Sequence, residues 1–182
     1  DGPPVFYFDP WRLQVALLQA DVILVSHEHS DHCSPQDVER ISGPGTVIVA
    51  SPLAAQKLSG DLRVLRPGER LAVGGAEIEA VPAYNVNKFR APGVPFHPKQ
   101  DQHVGYIVTV ESVRVYFAGD TDHTPEMTDF ECDIALLPVG ALEQHGPHLP
   151  LDTDAFDADY LARRVAEACS DPKPLVLPLI SY

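Results

Sequence analysis

Within His27-Glu28-His29-Ser30-Asp31-His32, three imidazoles and the carboxylate of Asp31 crowd into six positions of a 182-residue chain that holds eight histidines in all. Neutral imidazole nitrogen and carboxylate oxygen together are the ligand set of zinc, manganese or iron. A divalent ion held this way brings its water toward a pKa of about 7 and turns it into a nucleophile for hydrolysis. The stretch directly follows Asp21-Val22-Ile23-Leu24-Val25-Ser26, an apolar, β-branched run that reads as a buried strand. Side chains alternate along a strand. A chain that stops pairing at Ser26 and turns can therefore aim His27 and His29 the same way, with Asp31 and His32 following from the turn.

The spacing H-x-H-x-D-H resembles, at every fixed position, the metal motif of the metallo-β-lactamase fold. That resemblance implies an α/β αββα sandwich and a metal-dependent hydrolase acting on an ester, lactone or phosphoester. It implies two Zn2+ per chain, with Mn2+ or Fe2+ as alternatives. His27 and His29 would hold the first ion, and Asp31 and His32 the second. Asp31 would also orient the nucleophile or accept its proton. By the same resemblance, the Pro82-Ala83-Tyr84-Asn85 segment followed by His97-Pro98-Lys99 supplies His97 as the third histidine of the first site. His103, directly before a strand, is the substitute. The aspartate of Gly119-Asp120-Thr121, at a strand end, would bridge the two ions. In the family an early Asp-Pro, here Asp9-Pro10, leads toward the metal loop. Members usually carry one or two strands further upstream, so a chain opening at Asp1 implies truncation or a first sheet built without them.

Around these residues the pattern predicts the elements that position them. Val5 to Phe8 reads as a strand, and Trp11 to Ala20 as a short helix or ordered loop. Ser34-Pro35-Gln36-Asp37 opens a helix, with Ser34 as cap, Pro35 in the first turn and Val38 and Ile41 facing inward. Gly43-Pro44-Gly45 stops it. Strands are expected at 46–50, 62–65, 70–73 and 76–81, with a short helix from Pro52 to Leu58. The span from Ala83 to Gln102 reads as a long functional loop. Val104 to Val110 and Val113 to Ala118 form a hairpin through Glu111-Ser112, and Asp133 to Val139 is a buried strand. Strand–helix alternation followed by meandering strands fits the sandwich.

After about residue 139 the likeness changes. Gly140 to Asp154 resembles the N-terminal metal motif of the creatininase family of amidohydrolases, which implies Glu143, His145 and Asp154 as ligands. The rest of the tail reads as a helix from about 154 to 168 and a strand from 174 to 180. The chain is thus expected to be one domain, 1–182, with a metallo-β-lactamase-like part (1–139) and a creatininase-like segment (140–182), a chimera or a truncation. The histidine that closes the second metal site in the first family is absent from the last strand. The second ion would then be weak, or His145, His148 or Glu143 would replace that ligand. Two other readings follow: a creatininase-like amidohydrolase, and a non-catalytic domain stabilised by metal.

Composition narrows the partners. A formal net charge of −13 and a pI near 4.8 disfavour nucleic acid and leave a small-molecule substrate. No run reaches transmembrane length and no signal peptide is evident, so no membrane partner is expected. The odd set Cys33, Cys132 and Cys169, without C-x-x-C, suits a reduced, cytoplasmic setting. A first sheet lacking its outer strands would expose an edge, which predicts a homodimer.

Overall fold

The computed structural model describes residues 3–13, 18–136 and Arg164. In chain order the elements are β1 (Phe6–Phe8), β2 (Val22–Val25), α1 (Pro35–Ile41), β3 (Val47–Ala50), α2 (Pro52–Ala55), β4 (Asp61–Val64), β5 (Arg70–Val73), β6 (Ala76–Pro82), β7 (Phe89–Ala91), β8 (Val94–Pro95), β9 (Val104–Val110), β10 (Val113–Phe117) and β11 (Ile134–Leu136). Single 3-10 turns lie at Lys99–Asp101 and Pro125–Asp129.

β1 to β4 form a four-stranded parallel sheet in sequence order. The second, five-stranded sheet runs β11-β10-β9-β6-β5, antiparallel except where β10 meets β11. Strand alternation decides the layers. Val22 and Leu24 of β2 pack with Ile78, Ala80, Val104, Tyr106 and Val108 between the two sheets. Ile23 and Val25 point the other way, onto Val38, Ile41 and Ala54 of the helices. Burial on both faces is why β2 is apolar at every position. A third cluster, Val81, Ile107, Tyr116, Ala118, Met127 and Cys132, lies on the far side of the second sheet.

Helix α1 begins as the sequence predicts: Ser34 Oγ accepts from Asp37 N at 3.3 Å, Pro35 stands in the first turn, and Val38 and Ile41 are buried. The hairpin between β9 and β10 turns through Glu111 and Ser112, both at positive φ (48° and 72°), as a tight two-residue turn requires.

Of the two alternatives for 11–20, the described parts, Trp11–Leu13 and Leu18–Ala20, take the ordered-loop form: Arg12 sits at φ 50°, and Asp37 accepts from the Arg12 and Leu13 amides. Three expectations need correction. The 52–58 helix ends at Ala55. The 83–102 loop contains the β7–β8 hairpin and a 3-10 turn. β11 is not buried: Ile134 and Leu136 are 46% and 40% exposed, because among the described residues β11 has a partner on one side only. The expected 174–180 strand lies outside the described residues, as does the 154–168 helix except for Arg164, which is helical.

Candidate metal centre

The end of β2 is fixed from the second sheet. The fully buried Tyr106 hydroxyl donates to Val25 O at 2.8 Å, and Val104 N donates to Ser26 O at 3.2 Å. The chain then leaves the sheet, and His32 N and Cys33 N both donate back to His29 O (3.0 and 2.7 Å). That tight turn puts His27, His29 and His32 on one side. At the end of β10, Gly119 has φ +61°, and a Cβ there would stand 3.0 Å from Ser26 Cβ and 3.1 Å from both Ser26 Oγ and Val104 O. Only glycine lets the next residue, Asp120, come this close to the β2 end.

Two groups of ligand-type atoms result. In the first, atoms of His27, His29 and His97 all lie within 4.8 Å of one another; in the second, atoms of Asp9, His27 and His32 do the same. His97 Nε2 is 3.1 Å from His29 Nδ1. Ligands about 2.0–2.1 Å from a tetrahedral ion stand about 3.4 Å apart, so this pair is already near the spacing an ion needs. Asp120 lies between the groups. Its Oδ2 is 3.6 Å from His97 Nε2 and 3.9 Å from His27 Nε2, and its Oδ1 is 3.2 Å from His32 Nε2.

Asp31 stands at the rim. Its side chain is 53% exposed, with Oδ2 3.6 Å from His32 Nε2, and it joins neither group. His103, the substitute for His97, is also outside both groups. It is buried behind the cluster, with Nε2 2.9 Å from Glu28 Oε2 but without a well-aligned hydrogen bond. Glu143, His145, His148 and Asp154 lie outside the described residues.

The sequence reading missed the groups that set the histidine tautomers. Asp9 Oδ1 accepts from Ser26 N (2.7 Å), and its Oδ2 accepts from Ser26 Oγ (2.5 Å) and from His32 Nδ1 (2.8 Å). Ser26 has given its one hydroxyl proton to Asp9, so Oγ can only accept from His27 Nδ1, 2.9 Å away. Both His27 and His32 therefore carry a proton on Nδ1 and turn Nε2 toward Asp120. His97 is set independently. Asn85 Nδ2 donates to Asp122 Oδ1 at 3.0 Å, which turns Asn85 Oδ1 toward His97, where it accepts from Nδ1 (2.8 Å) and from the backbone amide (2.9 Å). The sequence signals were present: an aspartate ending β1, and an asparagine and an aspartate near the two later site residues. What joins them is contact between strands distant in sequence.

Electrostatically, the cluster keeps protons off His27 and His97 but holds one on His32. Burial, then the His32, His97, His103 and His29 rings around it, hold the His27 pKa far below the usual imidazole value. Burial lowers His97 to about 4, with the histidines around it adding to this and Asp120 opposing. Burial opposes charge on His32 too, but the hydrogen bond to Asp9 and the charges of Asp120, Asp9 and Asp31 outweigh it and lift the pKa to about 9. His27 Nε2 is buried without a hydrogen-bond partner. An orphaned buried polar atom is costly, and a metal ion is the partner that this lone pair, facing other lone pairs, fits.

Comparison with known proteins points the same way. Residues 4–166 match the family model described as Beta-lactamase superfamily domain. A UPF0173 metal-dependent hydrolase of Thermus thermophilus is 30% identical over 176 residues, covering 90% of this chain and 73% of the relative. A crystal structure from Parabacteroides distasonis, of a protein whose name places it among metal-dependent hydrolases, superposes with a TM-score of 0.64 at 35% identity; the match covers 85% of this chain and 63% of that one. A different relative, the mycofactocin precursor peptide peptidase of Mycolicibacterium smegmatis, is 48% identical over 52 residues, 27% of this chain and 21% of the peptidase.

Proposed function

Because this chain belongs to the beta-lactamase superfamily and, within it, to the UPF0173 metal-dependent hydrolases, we propose that it hydrolyses an ester, lactone or phosphoester at a two-ion centre in the histidine cluster. The observation that carries this reading is Asp120, whose two carboxylate oxygens face the two histidine groups separately. His27, His29 and His97 would hold one ion and His32 the other, with Asp120 shared and Asp31 closing the second site from the rim. Zinc is the first choice for this donor set, with manganese or iron as alternatives. When bound, such ions lower the pKa of water and polarise the substrate oxygen. The chain's own work is to hold a proton on Nδ1 of His27, His32 and His97, through Ser26, Asp9 and Asn85, so that Nε2 is the atom offered to an ion, and to present Asp31 where it can orient water or take a proton.

Elemental analysis and an ester panel test this. About two ions per chain are expected, with turnover lost in His29→Ala and Asp120→Ala; full activity in both variants refutes the assignment. A second reading has one supporting observation. A 52-residue stretch is 48% identical to a peptidase, above the 30% identity of the 176-residue match to a UPF0173 hydrolase. A creatininase-like amidohydrolase would lose activity in Glu143→Ala and Asp154→Ala and keep it in His29→Ala. Homodimerisation is proposed as well; a single monomer mass at all concentrations in sedimentation refutes it.

A further inference from the structure

The two residues that follow Asp120 hold the other loop of the centre. Thr121 Oγ1 accepts from Tyr84 N at 3.0 Å, and Asp122 N donates to Tyr84 O at 3.0 Å. The Asp122 carboxylate then takes a donor from each of the next three residues of that loop. Its Oδ2 accepts from Val86 N (2.7 Å) and Asn87 N (2.8 Å), and its Oδ1 from Asn85 Nδ2 (3.0 Å). Bonds to a charged acceptor are about twice as strong as neutral ones. Asn85 passes the constraint on. Its N donates to His97 O (2.9 Å), and its Oδ1 accepts from His97 N (2.9 Å) and Nδ1 (2.8 Å). Every link from Asp120 to His97 along this path is a covalent bond or a hydrogen bond. At its two ends, His97 Nε2 and Asp120 Oδ2 stand 3.6 Å apart, near the ligand-to-ligand spacing of about 3.4 Å around one tetrahedral ion. Both atoms present lone pairs and repel, so in the metal-free protein this spacing has to be held from outside the pair.

We propose that Asp122 is a positioning residue of the first ion site: it clips the His97 loop to the Asp120 loop and, through Asn85, fixes which nitrogen of His97 meets an ion. The ion belongs to the reading above; the clip stands on hydrogen bonds that need no ion. Its action depends on polarity, not bulk. With Asp122→Asn, the Val86 and Asn87 amides keep an oxygen at the Oδ2 position, so the new NH2 faces the NH2 of Asn85. Asn85 escapes by turning, which sets its NH2 against His97 N and Nδ1 and sends the ring proton to Nε2. Otherwise the loops part, and His97 leaves Asp120. Exchanging the two residues, Asn85→Asp with Asp122→Asn, satisfies every group again. The carboxylate at position 85 then accepts from His97 N, His97 Nδ1 and the NH2 at position 122, whose oxygen keeps the two backbone amides.

Two measurements test this. Histidine 15N NMR of the metal-free protein reads the ring proton directly, which a merely structural role would not move. His97 should carry it on Nδ1 in the wild type and in the exchanged pair, and Asp122→Asn should shift it toward Nε2. Zinc competition against a chromogenic chelator should show the first ion bound about 10–100-fold more weakly in Asp122→Asn, and restored in the exchanged pair. An Nδ1 proton and zinc affinity both unchanged in folded Asp122→Asn overturn the proposal. So does an exchanged pair that leaves either readout at the Asp122→Asn value. If Asp122→Asn does not fold, the exchanged pair decides alone: a folded protein with the His97 proton on Nδ1 supports the clip, and failure to fold overturns it. A wild type that binds no metal would overturn the hydrolase reading instead, and the NMR comparison would still judge the clip.

Discussion

Asp9→Asn probes the link between fold and metal affinity, because it turns one acceptor oxygen into an NH2 donor and removes one negative charge with almost no change in volume. Ser26 N can only donate, so the asparagine must keep its oxygen at the Oδ1 position, 2.7 Å from that amide. Its NH2 then falls where Oδ2 stood, facing Ser26 Oγ at 2.5 Å and His32 Nδ1 at 2.8 Å. The serine can adapt by accepting. His32 cannot donate to a donor, so it must move its proton to Nε2, the atom 3.2 Å from Asp120 Oδ1. The lone pair that would bind the ion is lost, while shape and packing stay. Replacing such an outer partner of a metal histidine costs about 10–100-fold in affinity, or about 1.4–2.7 kcal/mol. Competition against a chromogenic zinc chelator at fixed pH measures it, with the melting temperature of the metal-free protein as a control for folding. Wild-type zinc affinity and stoichiometry in Asp9→Asn would refute the tautomer argument and, with it, His32 as a ligand.

Other perturbations reach the site from different sides. Asn85→Leu removes the acceptor of His97 Nδ1 and should lower the affinity of the first ion by about 10–100-fold, seen in the same competition assay. Gly119→Ala forces a Cβ against Ser26 and Val104 O at φ +61° and should cost about 1–3 kcal/mol or more of stability in denaturant titration, with loss of metal as Asp120 is pushed back. Away from the metal, burial opposes charge on Glu126, but its bonds to Lys99, a backbone amide and Tyr84 prevail and bring its pKa to about 2 from an ordinary 4.5. A depressed carboxyl stabilises the fold above its unfolded value and loses that contribution as pH falls from about 4.5 through about 2. Glu126→Gln should therefore show a shallower loss of melting temperature across that window than wild type.

How much of this was legible before the structure depended on the range of the interaction. The β2 run, the Ser34 cap and the Glu111-Ser112 turn are local, and each lies where pattern and propensity put it. The histidine motif was legible because its residues are adjacent. His97 and Asp120 entered through resemblance alone, and the structure brings both to the cluster. The Asp9 contacts and Asp122 could not be read because their partners are 17 and 37 positions away, and an aspartate after a strand looks like any turn residue. β11 misled for a related reason: an apolar run says nothing about whether a second strand will cover it.

The chain that positions the cluster also explains why the two sheets meet there. His27, His29 and His32 come from the end of β2 in the parallel sheet, and Asp120 from the end of β10 in the other, with Gly119 packed on Ser26 between them. Without an ion, the same packing buries His27 Nε2 unpartnered and sets the His27 ring 4.2 Å from His32, 4.7 Å from His29 and 5.0 Å from His97. Protonation cannot relieve this, since burial and the surrounding imidazoles push the proton off His27. A divalent ion can, and in doing so it ties one sheet to the other. Ion binding and sheet docking are then one equilibrium. An ion at 1,000 times its dissociation constant adds about 4 kcal/mol to the folded state. Removing it with a chelator should lower the melting temperature of the whole two-sheet unit in one transition, and a chelator that leaves the melt unmoved would show that the cluster holds no ion.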